Sequence, residues 1–152
     1  MSSLPESHNP RHARGRRACL LWPLPAALAL LGAPAAARQP SAAALVAAMA
    51  QARTMRDAAV AAGDQPFGAV VLQGEVVVGA APSRVITATD PTAHAEMEAI
   101  RDAARRLGSR DLSGCVLVST SRPCRMCEAA AGWARVDRMV HGDALTDAGR
   151  PS

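Results

Sequence analysis

Beyond residue 40 the chain opens with a helical pattern of apolar positions, followed by two strand-like runs. Apolar side chains recur at intervals of three and four between Ser41, which is suited to cap a helix, and Gly63, which is suited to end one. These apolar residues are Leu45, Met49, Ala52, Met55 and Ala59. Valine-rich runs at 67–72 and 75–79 predict two strands, and the Gln73-Gly74 pair between them predicts a tight hairpin.

The second part of the chain repeats this alternation of helix and strand. After a turn-rich loop at 80–92, a helix is expected from about Thr92 to Leu107, with Gly108 at its end. The apolar run Cys115–Ser119 is typical of a strand that is buried on both faces. Pro123 is well placed to start a third helix that continues to about residue 134, and residues 136–141 predict a further strand.

The order helix–strand–strand–helix–strand–helix–strand predicts an α/β fold in which helices pack against a sheet. The remaining tail, residues 142–152, is short and polar, and we expect it to be irregular. A length of 152 residues with 49% hydrophobic and 20% charged positions fits one globular domain. Aromatic residues make up only 2%, so the core must be built from smaller aliphatic side chains.

The charge distribution weakens a nucleic-acid interpretation of the pI near 9.5. Five arginines and one acidic residue lie in residues 1–38, whereas the rest of the chain has 12 arginines against 12 acidic residues. Proteins that bind nucleic acids usually concentrate basic residues in the binding domain. A nucleic-acid partner is therefore disfavoured.

Residues 1–37 have the order of a secretory signal: a basic stretch, an uncharged run and three alanines before Arg38. The pair Arg16-Arg17 also resembles a twin-arginine signal. Two alternatives stay open: an uncleaved anchor, which three prolines in the run disfavour, and a misassigned start in front of a cytoplasmic protein. We expect a periplasmic or secreted protein if the leader is functional, a cytoplasmic one otherwise, and no stable membrane span in the mature chain.

Cys124 and Cys127 form a C-x-x-C pair at a predicted helix start. Taken alone, the pair fits a redox site, half of a metal site or two structural thiols. A helix N-terminus stabilises thiolates in a redox site and in a metal site alike, so the pair by itself does not distinguish them. Without the leader the chain keeps three cysteines, the third being Cys115. This odd number argues against a disulfide framework.

The segment DPTAHAEMEAI, residues 90–100, brings His94 and Glu96 to the start of the second predicted helix. One histidine and two cysteines supply three protein ligands and leave a fourth zinc position open, which is the arrangement of catalytic zinc sites. The spacing H-x-E…P-C-x-x-C matches the signature of zinc-dependent base deaminases. It predicts one Zn²⁺ per chain, bound by His94, Cys124 and Cys127, with Glu96 as the proton shuttle.

Five segments together resemble the cytidine and deoxycytidylate deaminase superfamily, in particular its guanine deaminase and nucleoside deaminase branch. They are PFGAVV (66–71), DPTAHAE (90–96), LSGC (112–115), PCRMC (123–127) and WARVDRMV (133–140). The resemblance implies a deaminase domain at 41–142, between the leader at 1–37 and a polar tail at 143–152. It also implies a three-layer α/β/α sandwich with a mixed sheet, apparently short at the C-terminus.

The activity implied by the resemblance is that of a hydrolase acting on a small nucleobase or nucleoside, with guanine as the leading substrate. In that family a zinc-bound hydroxide attacks the ring carbon that bears the amine, and ammonia leaves. The resemblance also implies a homodimer and a set of substrate contacts. These contacts are Phe67, Gly68, Ala69, Ser83, Pro123 and Trp133.

The chain departs from the family pattern at three positions near these motifs. Ser83 stands where the family usually has an asparagine that binds the base, which puts the base selectivity in doubt. Arg122 stands where the family often has a glutamate, and Arg125 lies between the two cysteine ligands. These arginines are either exposed without a role, or they favour the thiolates or attract an anionic substrate. Guanine deaminases also continue with a further strand, a helix and a closing segment beyond the length of this chain.

Three alternatives to a purine deaminase stay open. A zinc-binding relative without catalysis is suggested by Ser83 and the short C-terminus. A tRNA adenosine deaminase shares the motifs DPTAHAE and PC-x-x-C, although the balanced charge and the leader disfavour it. Thiol–disulfide exchange at Cys124 and Cys127 is the last, and it would not depend on Glu96.

Overall fold

The computed structural model describes residues 39–151, so the predicted leader at 1–37 lies outside the described residues. Within that range the chain forms three helices, which are α1 (Ala42–Ala61), α2 (Ala95–Leu107) and α3 (Arg125–Trp133). It also forms five strands, which are β1 (Gly68–Gln73), β2 (Val76–Pro82), β3 (Cys115–Ser119), β4 (Arg138–His141) and β5 (Thr146–Gly149). In this part of the chain no helix is both long enough and apolar enough to cross a lipid bilayer.

The five strands form one mixed sheet in the order β2-β1-β3-β4-β5. β1 is antiparallel to both β2 and β3, and the register places Val70 opposite Val118 of β3. β3 and β4 are parallel, because α3 lies between them in the chain and returns it to the same edge. β5 is antiparallel to β4.

Side chains that alternate along β1 separate two apolar layers. Val70 and Leu72 pack against Leu45 and Met49 of α1 on one face of the sheet. Ala69 and Val71 belong to the core on the other face, which α2 and α3 cover. The three-layer α/β/α architecture with a mixed sheet is thereby confirmed.

Two glycines allow backbone atoms of α1 and α2 to contact the sheet directly. A Cβ on Gly68 would lie 2.1 Å from the carbonyl oxygen of Ala52 in α1. A Cβ on Gly79 would lie 2.5 Å from the carbonyl oxygen of Ala99 and 2.7 Å from the backbone nitrogen of Ala103, both in α2. The helices present alanines at these contacts, which is how a chain with almost no aromatic residues fills its core.

The two helices that begin near the H-x-E and P-C-x-x-C motifs, α2 and α3, start later than the sequence predicts. α2 starts at Ala95 and not near Thr92, since Thr92 donates to the Asp90 carboxylate through its N–H and its hydroxyl, both at 2.7 Å. α3 starts at Arg125, with Cys124 as its N-cap, and Pro123 precedes the helix. In the other direction, β2 extends beyond residue 79 to Pro82.

The prediction of an irregular tail at 142–152 is wrong, because residues Thr146–Gly149 form β5 at the edge of the sheet. All four residues of this strand are exposed, so no apolar alternation marks it in the sequence. An ion pair between Arg138 Nε and Asp147 Oδ2 at 2.9 Å ties β5 to β4.

We predict that Gly79→Ala lowers the free energy of unfolding by about 2–3 kcal/mol, because the added methyl group displaces α2 from the sheet. The control Gly63→Ala adds a methyl group in open space at a φ of +77°, and its backbone strain should cost about 1 kcal/mol. Urea denaturation of both variants measures the difference. Equal losses would contradict the close packing of α2 on β2.

Candidate active site

Three donor atoms converge between the starts of α2 and α3. His94 Nδ1 lies 3.8 Å from Cys124 Sγ and 3.6 Å from Cys127 Sγ, and the two sulfurs are 3.6 Å apart. Usual zinc bond lengths at a tetrahedral angle would place two sulfurs about 3.8 Å apart, and a sulfur and a nitrogen about 3.6 Å apart. The three donor atoms are therefore spaced like three ligands of one tetrahedral zinc ion.

The local backbone explains why these side chains can act as ligands. His94 is the N-cap of α2 and Cys124 is the N-cap of α3, each in an extended conformation. Neither side chain makes a capping hydrogen bond, so both donor atoms remain directed to the shared centre. The positive ends of two helix dipoles meet here and favour thiolate sulfur.

The donor set fits zinc and does not form a disulfide. The described cysteines are free thiols, and one imidazole with two thiolates is a soft nitrogen–sulfur set that suits Zn²⁺. Burial raises the pKa of Cys127 well above its ordinary value, and the neighbouring Glu96 carboxylate and Cys124 raise it further. A bound cation offsets this cost, since it stabilises the thiolate directly.

Glu96 lies beside this ligand set as the second residue of α2. Its side chain is buried, and Oε2 is 3.7 Å from Cys127 Sγ. Burial raises the pKa of Glu96, while its own backbone N–H and His94 act in the opposite direction. Glu98, one half-turn on, instead forms a surface ion pair with Arg101. Of these two glutamates, only Glu96 is placed to exchange protons at the centre.

Three of the predicted substrate contacts, Phe67, Gly68 and Ala69, have backbone groups that already take part in hydrogen bonds of the fold. The N–H of Phe67 donates to Gln65 at 2.7 Å, and the N–H of Gly68 donates to Thr120 Oγ1 at 3.2 Å. Ala69 lies inside the sheet, paired with β2 and β3. The structure thus gives these residues a role in packing and pairing, and their contact with a base stays a prediction.

Ser83 is buried and is connected to Asp64, a residue that the sequence analysis missed. The hydroxyl of Ser83 donates to Asp64 Oδ1 at 2.8 Å, so its oxygen can offer a ligand only an acceptor. Burial alone would raise the pKa of Asp64, but hydrogen bonds from Thr87, Ser83 and Gln65 outweigh it and hold the pKa well below its ordinary value. No sequence motif marks this acid, because its partners other than Gln65 are 19–23 residues away in the chain.

Through the Asp64 carboxylate, the loop between β2 and α2 is fixed from Ser83 up to the residue before His94. Asp64 Oδ2 accepts from Ile86 N, Thr87 N and Thr87 Oγ1 at 2.8–3.0 Å. At the other end of the loop, Arg84 N donates to the carbonyl of Ala93 at 2.9 Å, one residue before His94. Asp64 therefore supports the backbone that leads into the site.

The remaining two predicted contacts lie at opposite ends of α3. Pro123 is half-buried next to Cys124, at the site. Trp133 is the last residue of α3 and 89% exposed, and with Ile100 and Ala130 it lines a groove of about 320 Å³ on the outer side of α2 and α3. The groove lining includes none of the residues His94, Cys124 and Cys127. The structure does not bring Trp133 to the ligand set, so a substrate contact there stays a prediction.

A mixed sheet between helices, with one imidazole and two thiols meeting at two helix starts, defines a zinc-binding α/β domain. The family model described as "cytidine and deoxycytidylate deaminase zinc-binding region" matches residues 43–143. The chain belongs to this family, which confirms the resemblance read from its motifs.

Curated relatives divide between two substrate classes. Guanine deaminase of Bacillus subtilis is 41% identical over 83 residues, which cover 55% of this chain and 53% of the relative. The tRNA-specific adenosine deaminase of Aquifex aeolicus is 40% identical over 78 residues, which cover 51% of this chain and 52% of the relative. The chain spans about half the length of these relatives.

Solved structures show the same division. The X-ray structure of guanine deaminase from Bacillus subtilis superposes with a TM-score of 0.61 at 37% identity, covering 63% of this chain and 62% of that one. A structure from a study of tRNA:A34 deaminases superposes with a TM-score of 0.61 at 35% identity, covering 63% of this chain and 70% of that one.

We predict that Cys127→Ser weakens zinc binding by more than about 100-fold. Loss of a group that only hydrogen-bonds to a metal ligand already weakens binding about 10–100-fold, and loss of the ligand itself should cost more. The matched control is Cys115→Ser, because Cys115 is a buried thiol in β3 whose pKa burial raises to about 11 and which lies outside the ligand set. Competition with a zinc chelator measures both affinities. Equal zinc loss in the two variants would contradict the assignment of the ligands.

For Asp64→Asn we predict a lower urea midpoint than for the wild type at pH 7. The native pKa of Asp64 is depressed, so its contribution is complete above about pH 4, the usual carboxyl pKa, and declines as the pH falls below it. The gap between the two proteins should therefore narrow from pH 5 to pH 3. Asp57→Asn, at an exposed carboxylate paired only with Arg56, serves as the control. A gap that is independent of pH would argue against Asp64 as a buried anion.

Proposed function

We propose that the protein is a zinc-dependent hydrolytic deaminase of a nucleobase or nucleoside. The observation that carries this proposal is the buried carboxyl of Glu96 at 3.7 Å from Cys127 Sγ, beside three atoms spaced for one zinc ion. Bound zinc supplies a Lewis acid that lowers the pKa of water. The reaction consumes one water, replaces a ring amine by a carbonyl and releases one ammonia.

Glu96 has the properties that this reaction needs in a proton carrier. Its raised pKa lets the carboxyl accept a proton from water and give it to the departing amine near neutral pH. Its place in the first turn of α2 fixes the carboxyl relative to His94, two residues before it. His94, Cys124 and Cys127 have the separate role of holding the metal.

A purine is the leading substrate, with guanine first, on the basis of the similarity to the Bacillus subtilis guanine deaminase. A tRNA adenosine is the second candidate, supported by the similarity to the Aquifex aeolicus enzyme and to the tRNA:A34 deaminase structure at nearly equal identity. At Ser83 the hydroxyl proton is committed to Asp64, so a base that reaches this oxygen would have to present a donor.

An ammonia-release screen over purine and pyrimidine bases, nucleosides and a tRNA anticodon stem-loop, with zinc quantified in the same sample, tests the proposal. We predict that Glu96→Gln lowers the rate by at least about 100-fold and leaves the zinc content unchanged, because only the proton carrier is lost. Glu98→Gln is the matched control on the same helix and should keep the rate, since Glu98 pairs with Arg101.

The outcomes separate the alternatives. A full complement of zinc without ammonia from any of these compounds would support a non-catalytic relative, and turnover of the stem-loop alone would support the tRNA candidate. A rate that survives Glu96→Gln would exclude the proposed proton carrier. If the protein were instead a thiol–disulfide exchanger, Glu96→Gln would leave its redox activity unchanged.

A further inference from the structure

The sulfur atoms of Cys124 and Cys127 are neighbours but differ in their access to solvent. Cys124, the N-cap of α3, is exposed, whereas Cys127 has a relative exposure of 0%. The two Sγ atoms are 3.6 Å apart, and Cys127 Sγ has Glu96 Oε2 as a further neighbour at 3.7 Å. A reagent in solution therefore reaches the sulfur of Cys124 first.

This arrangement is that of an attacked thiol beside a resolving thiol. A disulfide requires the two sulfurs to close from 3.6 Å to about 2.05 Å, and both belong to the first turn of one helix and its N-cap. The side chain of Cys124 makes no capping hydrogen bond, so its rotation towards Cys127 breaks none. Redox-sensitive cysteines are typically accessible to solvent and placed next to such a second thiol.

The third described cysteine lacks these properties. Cys115 is buried at the first position of β3, whereas Cys124 follows the last position of that strand. The rise of a strand separates its first and last residues by about 13 Å over four steps. Cys115 also lies outside the ligand set, so it serves as an internal control thiol.

We propose that Cys124 is an oxidative modification site, at which a peroxide converts Cys124 and Cys127 into a disulfide and releases the zinc ion. In the first step the Cys124 thiolate attacks a peroxide oxygen: a sulfur–oxygen bond forms, the oxygen–oxygen bond breaks, and hydroxide leaves. In the second step the Cys127 thiolate attacks the sulfenic sulfur and displaces a second hydroxide. The two thiolates lose two electrons, which reduce one hydrogen peroxide to two hydroxide ions.

Formation of this disulfide removes two of the three protein ligands. Thiolate sulfur is the metal ligand, and a disulfide offers none, so His94 alone remains. A thiol reductant reverses the disulfide by exchange and lets zinc bind again. The modification rests on the ligand set alone. Its consequence for turnover rests on the proposed function, because the deaminase needs the metal to activate water.

Treatment of the zinc-loaded wild-type protein with hydrogen peroxide tests the proposal. A chromogenic zinc indicator follows the released metal, and mass spectrometry without reductant follows the thiols in the same samples. We expect one zinc ion released for each disulfide formed, and recovery of both thiols and zinc after dithiothreitol and added zinc. Trypsin cleaves after Arg125, between the two cysteines, so the disulfide keeps the Cys124 and Cys127 peptides joined.

Dimedone, which traps sulfenic acid, tests the order of attack when it is added with the peroxide. We expect the label on Cys124 and neither on Cys127 nor on Cys115. In Cys127→Ser, which lacks the resolving thiol, the label on Cys124 should increase, and this readout needs no bound metal. Cys115→Ser is the matched control, and it should form the disulfide and release zinc as the wild type does.

Four results would overturn the proposal. They are zinc release without a disulfide between Cys124 and Cys127, a stable sulfinic acid at Cys124 of the wild type, first labelling of Cys127, and retention of zinc with both thiols free in excess peroxide. Failure of the proposed function is a separate result, because ammonia enters none of these readouts. A protein that forms the disulfide and loses zinc, but never releases ammonia, keeps the modification site and removes the deaminase.

Discussion

The convergence of one imidazole nitrogen and two sulfurs at 3.6–3.8 Å is the constraint on which the rest of the site depends. Cys127 and Glu96 are buried side by side, and burial raises the pKa of both groups. Such a cluster is costly to bury unless a cation compensates it. Binding of zinc therefore couples the chemistry of the site to the stability of the two helix starts that carry it.

The sheet determines where these helix starts meet. Gly79 lets the backbone of α2 contact β2, and the parallel pairing of β3 with β4 requires a crossover, which α3 makes on the face that α2 also covers. Asp64 then fixes the loop that ends at His94. The ligands are thus positioned by regular elements and one buried carboxylate, which keeps the donor atoms in place without capping bonds of their own.

The sequence predicted what local patterns record: the element order up to β4, the three layers, and the meeting of His94, Cys124 and Cys127, whose spacing H-x-E…P-C-x-x-C is specific. It did not predict β5, since an exposed edge strand carries no apolar alternation, or the role of Asp64, whose partners come together only in the fold. Trp133 illustrates the same limit, because its place at the end of α3 was predicted, but the resemblance implied a substrate contact for a side chain that the fold leaves exposed and away from the ligand set. The leader at 1–37 and the homodimer stay predictions.

X-ray absorption spectroscopy at the zinc edge on purified protein tests most directly whether His94, Cys124 and Cys127 bind one zinc ion. The account predicts one zinc per chain with two sulfur neighbours at about 2.3 Å and the remaining neighbours nitrogen or oxygen at about 2.0–2.1 Å. A spectrum without sulfur neighbours, or with four, would contradict it.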